Sequence, residues 1–341
     1  MAIASSGNIS FDNIQTEFGG SNPIGINEYY AGGSYVPAGT TGTNGAVPSS
    51  GTIAVSNFYG TSASLGYVEN FFSTYLYVGN SGSQAIVNGI NMYDYGGLIW
   101  IKDRDTTYSG KFVGSGLGSG YLTPSSTSSL GADNTIWNSA NGGNTDGFTL
   151  GAGTVTNSTN NSGTRYVAWN FRKQPKFFDI VTYTGNGSPR TISHNLGSTP
   201  GCIIVKRVSG SESGGISGYW CVYHRSMATP QSGVVFLNST DGRNTTSIWN
   251  DTLPTSSVFS VNSNYTNSSG DQYIAYLFAH NAGGFGASGT DNIISCGAYY
   301  GTNNNYGDDQ NLGFEPQWML LKRVDNNGNA AVQNNWWITD R

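Results

Sequence analysis

The chain has 341 residues, of which 10% are charged and 49 are glycine, and a formal net charge of −5 at pH 7. An ordinary globular domain carries about 25% charged residues, and without Lys/Arg clusters there is none of the basic footprint that a nucleic-acid partner requires. No apolar run approaches the roughly 18–20 residues of a membrane span, so neither nucleic acid nor membrane is an expected partner. Aromatic residues make up 13%, enough ring surface to drive a core. Residues that favour helices are scarce, while Tyr, Val, Ile, Trp and Thr suit a pleated, half-buried surface. The fold class expected is all-β, with antiparallel β-sandwich or jelly-roll-like domains.

The first sixty residues stand apart from the rest. "SSGNISFDNIQTEFGG" places Phe11, Ile14 and Phe18 on one face of a short helix that Gly19-Gly20 would end. "SSGTIAVSNFYG" is a degenerate second copy, with Val55 and Phe58 three apart. The Gly/Ser/Thr/Pro loop between them reads as too polar to bury much, and two short amphipathic pieces are too small for an independent core. Phe11, Ile14, Phe18, Val55 and Phe58 are therefore expected interface residues, docked on the β domain or on a partner. The N-terminus has neither a basic n-region nor an apolar h-region. Cys202, Cys221 and Cys296 are odd in number and lack metal-site spacing. They read as buried small hydrophobes, which fits synthesis in a reducing compartment.

From Gly60 onward the chain repeats itself. "FFSTYLYVGNSGS" returns as "FFDIVTYTGNGS", "GLIWIKDR" as "GCIIVKRV" and "QWMLLKRV", and "RYVAWNFRKQ" as "QYIAYLFAHN". Offsets of about a hundred residues indicate tandem domains rather than a short-period solenoid. The expected organisation is a docking segment over 1–60, one β-sandwich over 61–173, a second over 177–281 and the first half of a third over 292–341. Half a sandwich leaves an apolar face and unpaired edges, so the reading expects the polypeptide to continue or another chain to complete this unit.

The sequence names no catalytic, cofactor or metal residue. His194, His224 and His280 share no ligand spacing and read as structural. Asp103-x-Asp105 and "YGDDQNLG" (306–313) offer oxygen atoms without the calcium-loop pattern. Trp137 and Trp249, like Trp220 and Trp336, recur at matching positions, as core anchors do; Trp100, Trp318 and Trp337 sit in strand-like runs and are read the same way.

The leader "SGNISFDNIQTEFGGSNPIGINEYY" with its echo resembles an N-terminal segment that recurs on virion proteins of tailed bacteriophages. The unit "GLIWIKDRDTTYSGKFVGSGLGSGYLTPSSTSS", with "NTDGFTLGAG" and "GTRYVAWNFRK", resembles the repeated β domain of phage virion and tail-appendage proteins of the marine phage type. The resemblance implies a structural, non-enzymatic component of a phage particle. Its place would be a tail fibre or baseplate appendage anchored by its N-terminus and engaged in host attachment. Other virion proteins would be its partners, in a homo-oligomer such as a trimer. A glycan-binding adhesin and a head decoration or neck protein are the alternatives.

Overall fold

The computed structural model describes residues 2–37, 40–62, 66–132, 145–152, 159–209, 218–262, 264–286, 289–301, 309–325 and 334–341. Two compact units divide it: Met1–Val68 with Asn281–Ile293, and Glu69–His280 with Ile294–Arg341. The stretch after the second repeat, Asn281–Ile293, thus belongs to the N-terminal unit, where the Gly286 N–H bonds Gly66 O at 3.0 Å.

In the N-terminal unit the helix α1 spans Phe11–Phe18. Ser10 caps it reciprocally with Asn13, and Gly19 ends it at φ +85°. The expectation that this segment cannot make its own core is overturned. Ile14, Phe18 and Phe58 are buried together with Ile3, Tyr29 and Val36, and Phe11 and Val55 pack partly buried against them. Phe18 meets Phe58 edge-on at 6.0 Å, and Tyr29 meets it at 6.2 Å. The loop expected to bury little supplies Ala31, Val36 and Val47 to this core. That is the physical reason for the difference: two short amphipathic pieces fail alone, but an intervening loop that folds back adds the missing apolar area. Three of the five expected interface residues are therefore already used inside the unit.

The second unit is built of antiparallel strands, and its two complete repeats share one topology. The first has β1 (Phe72–Val78), β2 (Gln84–Val87), β3 (Gly97–Asp103), β4 (Lys111–Gly114), β5 (Gly147–Leu150) and β6 (Arg165–Arg172). Its main sheet runs β1-β6-β3-β4, and β2 pairs with β5 as a second layer. The second has β7 (Phe178–Thr184), β8 (Arg190–Ser193), β9 (Cys202–Arg207), β10 (Trp220–His224), β11 (Gly233–Phe236), β12 (Val258–Val261) and β13 (Gln272–Phe278). Here the order is β7-β13-β9-β10-β11, with β8 on β12. In each, the last strand lies between the first and the third, which explains why the repeated phrases recur so far apart. Between the layers of the first repeat lie Tyr77, Ile86, Ile99, Ile101, Phe148 and Ala168.

The recurring Tyr-x-Gly-Asn phrase has a physical role. Tyr77 stacks on Tyr166 and donates to Thr159 O at 2.6 Å; Tyr183 stacks on Tyr273 and donates to Thr266 O at 2.7 Å. The side chain of Asn160 accepts the Asn80 N–H, and that of Asn267 accepts the Asn186 N–H. A Cβ on Gly79 would lie 2.2 Å from Asn161 O, and one on Gly185 would lie 2.0 Å from Ser268 O. Only glycine permits that approach.

A hairpin follows, β14 (Trp318–Lys322) and β15 (Trp336–Asp340). It corresponds to the third and fourth strands of a repeat.

Candidate functional site

The three sheets meet through equivalent faces, and the junctions are the chemically distinctive part of the second unit. From the first repeat, Phe112 lies edge-on to Trp220 at 5.0 Å and to Tyr276 at 5.5 Å. Phe171 touches Phe178, Phe278 and Trp318, and Trp100 meets Trp318 at 6.3 Å. Rings of this size dominate burial wherever they cluster.

One polar lock recurs at both junctions. Lys206 and Lys322 occupy equivalent places, 116 residues apart. Fully buried Lys206 donates its Nζ to Thr127 O of the repeat before it at 2.8 Å and to Gly218 O. Lys322 donates to Ser239 O at 2.9 Å and to Asn334 O. The Trp220 indole N–H donates to Thr123 O at 3.2 Å and Ser126 O at 3.1 Å; that of Trp336 donates to Phe236 O at 2.8 Å. Thr123 and Phe236 are equivalent, because each follows the residue paired with the fourth strand, Leu122 on Phe112 and Val235 on Val222. A backbone bond completes the set, Leu130 N–H to Val208 O at 3.0 Å and Arg243 N–H to Val324 O at 2.7 Å. In the first repeat the corresponding Lys102 turns on its own loop and donates to Thr106 O at 3.1 Å. Each ammonium lies near its own repeat's tryptophan ring, at 5.7 Å and 5.4 Å. Buried charges persist when hydrogen-bonded in this way. Burial brings Lys322 down to about 8, against the pull of Asp241.

The tryptophans read as anchors divide into two groups. Trp220 and Trp249 are buried, and Trp249 donates to Gly233 O at 2.9 Å. Trp100 is 7% exposed, but Trp337 is 68% exposed, a correction to its core reading. Its equivalent, Cys221, is covered by the second layer of its repeat, and no such layer lies over Trp337 among the described residues. Trp337 instead borders a cleft of about 400 Å³ with Ser125, Asn238, Thr240 and Asn335. Trp137 lies outside the described residues.

The other candidates are held by local bonds. The ring of His194 accepts the Leu196 N–H at Nδ1 and contacts Thr255 O through Nε2 at 3.2 Å. Desolvation lowers the pKa of all three histidines, that of His224 to about 4 with added repulsion from His280 and Arg225. Asp103 accepts the N–H groups of Asp105 and Thr106, and Asp105 pairs with Arg165. Tyr306, Gly307 and Asp308 lie outside the described residues, and Asp309 is exposed. The cysteines are free thiols whose pKa values burial raises, Cys296 to about 12. Among the described residues, no three His, Cys, Asp or Glu side chains gather where a metal ion could be held. No helix among them is long and apolar enough to cross a membrane.

Sequence reasoning missed the lock. Its one signal was a lysine at the same place in three otherwise apolar runs, "IWIKD", "IIVKR" and "MLLKR". Comparison with known proteins returns one family model, Domain of unknown function (DUF7483), which matches residues 68–176 and again 174–341. No curated protein and no solved structure matches the chain.

Proposed function

We propose, from the premise that the chain belongs to the DUF7483 family, that it is a structural component of a tailed-bacteriophage particle. Its place is a tail-fibre or baseplate-associated appendage, its partners are other virion proteins, and its role is architectural rather than catalytic. The observation that carries this reading is the division of labour along the chain. An N-terminal unit with its own aromatic core is followed by repeats joined through the same Lys–Trp lock. Head-to-tail contacts of one kind suit a projecting body built by repetition, and a separately folded leader suits attachment to a particle. The phage assignment itself rests on the resemblance of the leader and of the repeat phrases.

Mass spectrometry and cryo-electron microscopy of purified particles from the encoding phage test it. The expected result is a fixed copy number, with residues 1–68 seated in a tail or baseplate. Absence of the chain from purified particles overturns the reading.

A second reading, binding of a host-surface glycan, is favoured by the cleft beside Trp337. Trp336 and Trp337 line it together with Asn238, Asn335 and Ser125, which sets aromatic residues beside amide and hydroxyl groups. Saccharide titration of the chain, read against Trp337→Phe, tests it; unchanged binding in the variant removes the cleft from the account.

A further inference from the structure

One end of the second repeat's main sheet gathers donors that the lock does not use. His224 closes β10 opposite Cys202, and Phe278 closes β13 opposite the same residue. His280 lies two residues beyond Phe278, and Arg225 follows His224 with its N–H on Gly201 O at 2.9 Å. Gly201 lets these segments close in, because a Cβ there would lie 2.7 Å from His280 Cβ and 2.8 Å from Cys296 Cβ. Two backbone bonds fix the imidazoles. His224 Nδ1 accepts the Ser226 N–H at 3.3 Å, and His280 Nδ1 accepts the Cys296 N–H at 2.9 Å. A neutral imidazole that accepts at Nδ1 carries its proton on Nε2. Each ring therefore presents an Nε2–H, and among the described residues neither has a partner. Such an atom offers a metal ion no lone pair; it calls for an acceptor.

Arg225, exposed and without an ion pair among the described residues, adds a guanidinium. Desolvation is the first influence on both rings, and the charges that act on them next are cationic: His280 and Arg225 on His224, and Arg225 on His280. The other titratable groups here are Cys202, Cys296 and Tyr223, which burial holds in their neutral forms. The first repeat shows what balances this place. Its counterpart of Arg225 is Ser115, which makes the same bond, N–H to Gly97 O at 2.9 Å. Its counterpart of His280 is Lys173, two residues beyond Phe171, and the Lys173 ammonium meets Asp179 Oδ1 at 3.0 Å. Asp179 stands four residues before Tyr183, whereas four residues before the matching Tyr299 the chain carries Ser295. The second repeat has thus gained a cation and lost the acid.

We infer that this end of the second repeat binds an oxyanion ligand, a carboxylate or a phosphate-type group, through the Nε2–H groups of His224 and His280 and the Arg225 guanidinium. The ligand supplies the anionic oxygen that Asp179 supplies in the first repeat. Bonds from a guanidinium, and from imidazoles that protonate, to an anionic oxygen are the short, strong class. A bound anion favours the protonated rings, so the complex takes up protons that the free protein refuses. Free His224 sits at about 4 against its ordinary 6.5, and affinity therefore rises as the pH falls from 6.5 toward 4.

The test titrates the full chain with sulfate, whose charge is constant over the range used, and separately with acetate near neutral pH. Imidazole NMR resonances report binding, with chloride at matched ionic strength as the control. The expected result is a saturable shift of the His224 and His280 resonances while His194 stays in place. Sulfate should bind at least about fivefold more tightly at about pH 5 than at about pH 7.5. Arg225→Gln should weaken binding at least about tenfold, the loss of one bond between charged groups. Ser295→Asp, which restores the acid of the first repeat, should weaken it as much and raise the pKa of His280. The tighter of the two anions assigns the group, sulfate a phosphate-type one and acetate a carboxylate. No saturable shift with either anion overturns the proposal. So do shifts that both variants leave unchanged, or a sulfate affinity that grows with rising pH.

Discussion

The second repeat and the third hairpin dock by the same face and differ in what lies on the other. Lys206 and Trp220 lock the second repeat to the first, and Lys322 and Trp336 lock the hairpin to the second. Yet Val205 is fully buried while its counterpart Leu321 is only half-buried, and Cys221 is fully buried while Trp337 stands 68% exposed. A shared junction therefore does not make the two equally stable. The second repeat gains burial from its own second layer and from the junction, whereas among the described residues the hairpin is covered at the junction alone.

Substitutions at matching positions should separate these contributions. The largest effect is expected for Trp220→Ala, which empties a fully buried site at the aromatic junction and should cost about 3–5 kcal/mol. Chemical denaturation followed at the second repeat checks it; a loss under about 1 kcal/mol would place the junction's strength elsewhere. Acid comes next. Burial, with His280 and Arg225 nearby, holds His224 at about 4 against its ordinary 6.5. Between those values the unfolded chain takes a proton that the folded chain refuses, so stability is full above pH 6.5 and falls as the pH drops toward 4. The contribution is at most about 3 kcal/mol, and His224→Gln should flatten this part of a stability–pH curve measured by urea denaturation.

A local effect is expected for Trp169→Phe. It removes the indole donor to Asp340 Oδ2, a 2.8 Å bond that ties the hairpin to the first repeat. Loss of a bond to a charged acceptor costs roughly 1.5–3 kcal/mol, and faster amide exchange confined to 318–340 is the expected sign. Trp336→Phe forfeits one bond to Phe236 O and about 1 kcal/mol, again within the hairpin. The smallest effect belongs to Arg165→Gln: its partnership with Asp105 is solvent-exposed, and the thermal midpoint should not move measurably.

What the sequence disclosed follows from how local the underlying physics is. Strand runs, the all-β class and the tandem order could be read because alternation and glycine-rich turns are local signals. The Tyr-x-Gly-Asn phrase announced itself by recurrence, although the stacking and asparagine bonds behind it join residues about eighty apart. The core around Ile14, Phe18 and Phe58 was hidden, because Val36 and Val47 come from a loop whose composition looks solvated. Trp337 was misread for a different reason. Alternation assigns a residue to a face of a strand, but whether that face is covered depends on strands elsewhere.

The central claim, that among the described residues the hairpin is held by one face alone, is tested most directly by native-state hydrogen exchange on the full chain. Amides of 318–322 and 336–340 should exchange at least about ten times faster than those of 202–207 and 220–224, despite the shared lock. Equal protection of the two sets would contradict the account.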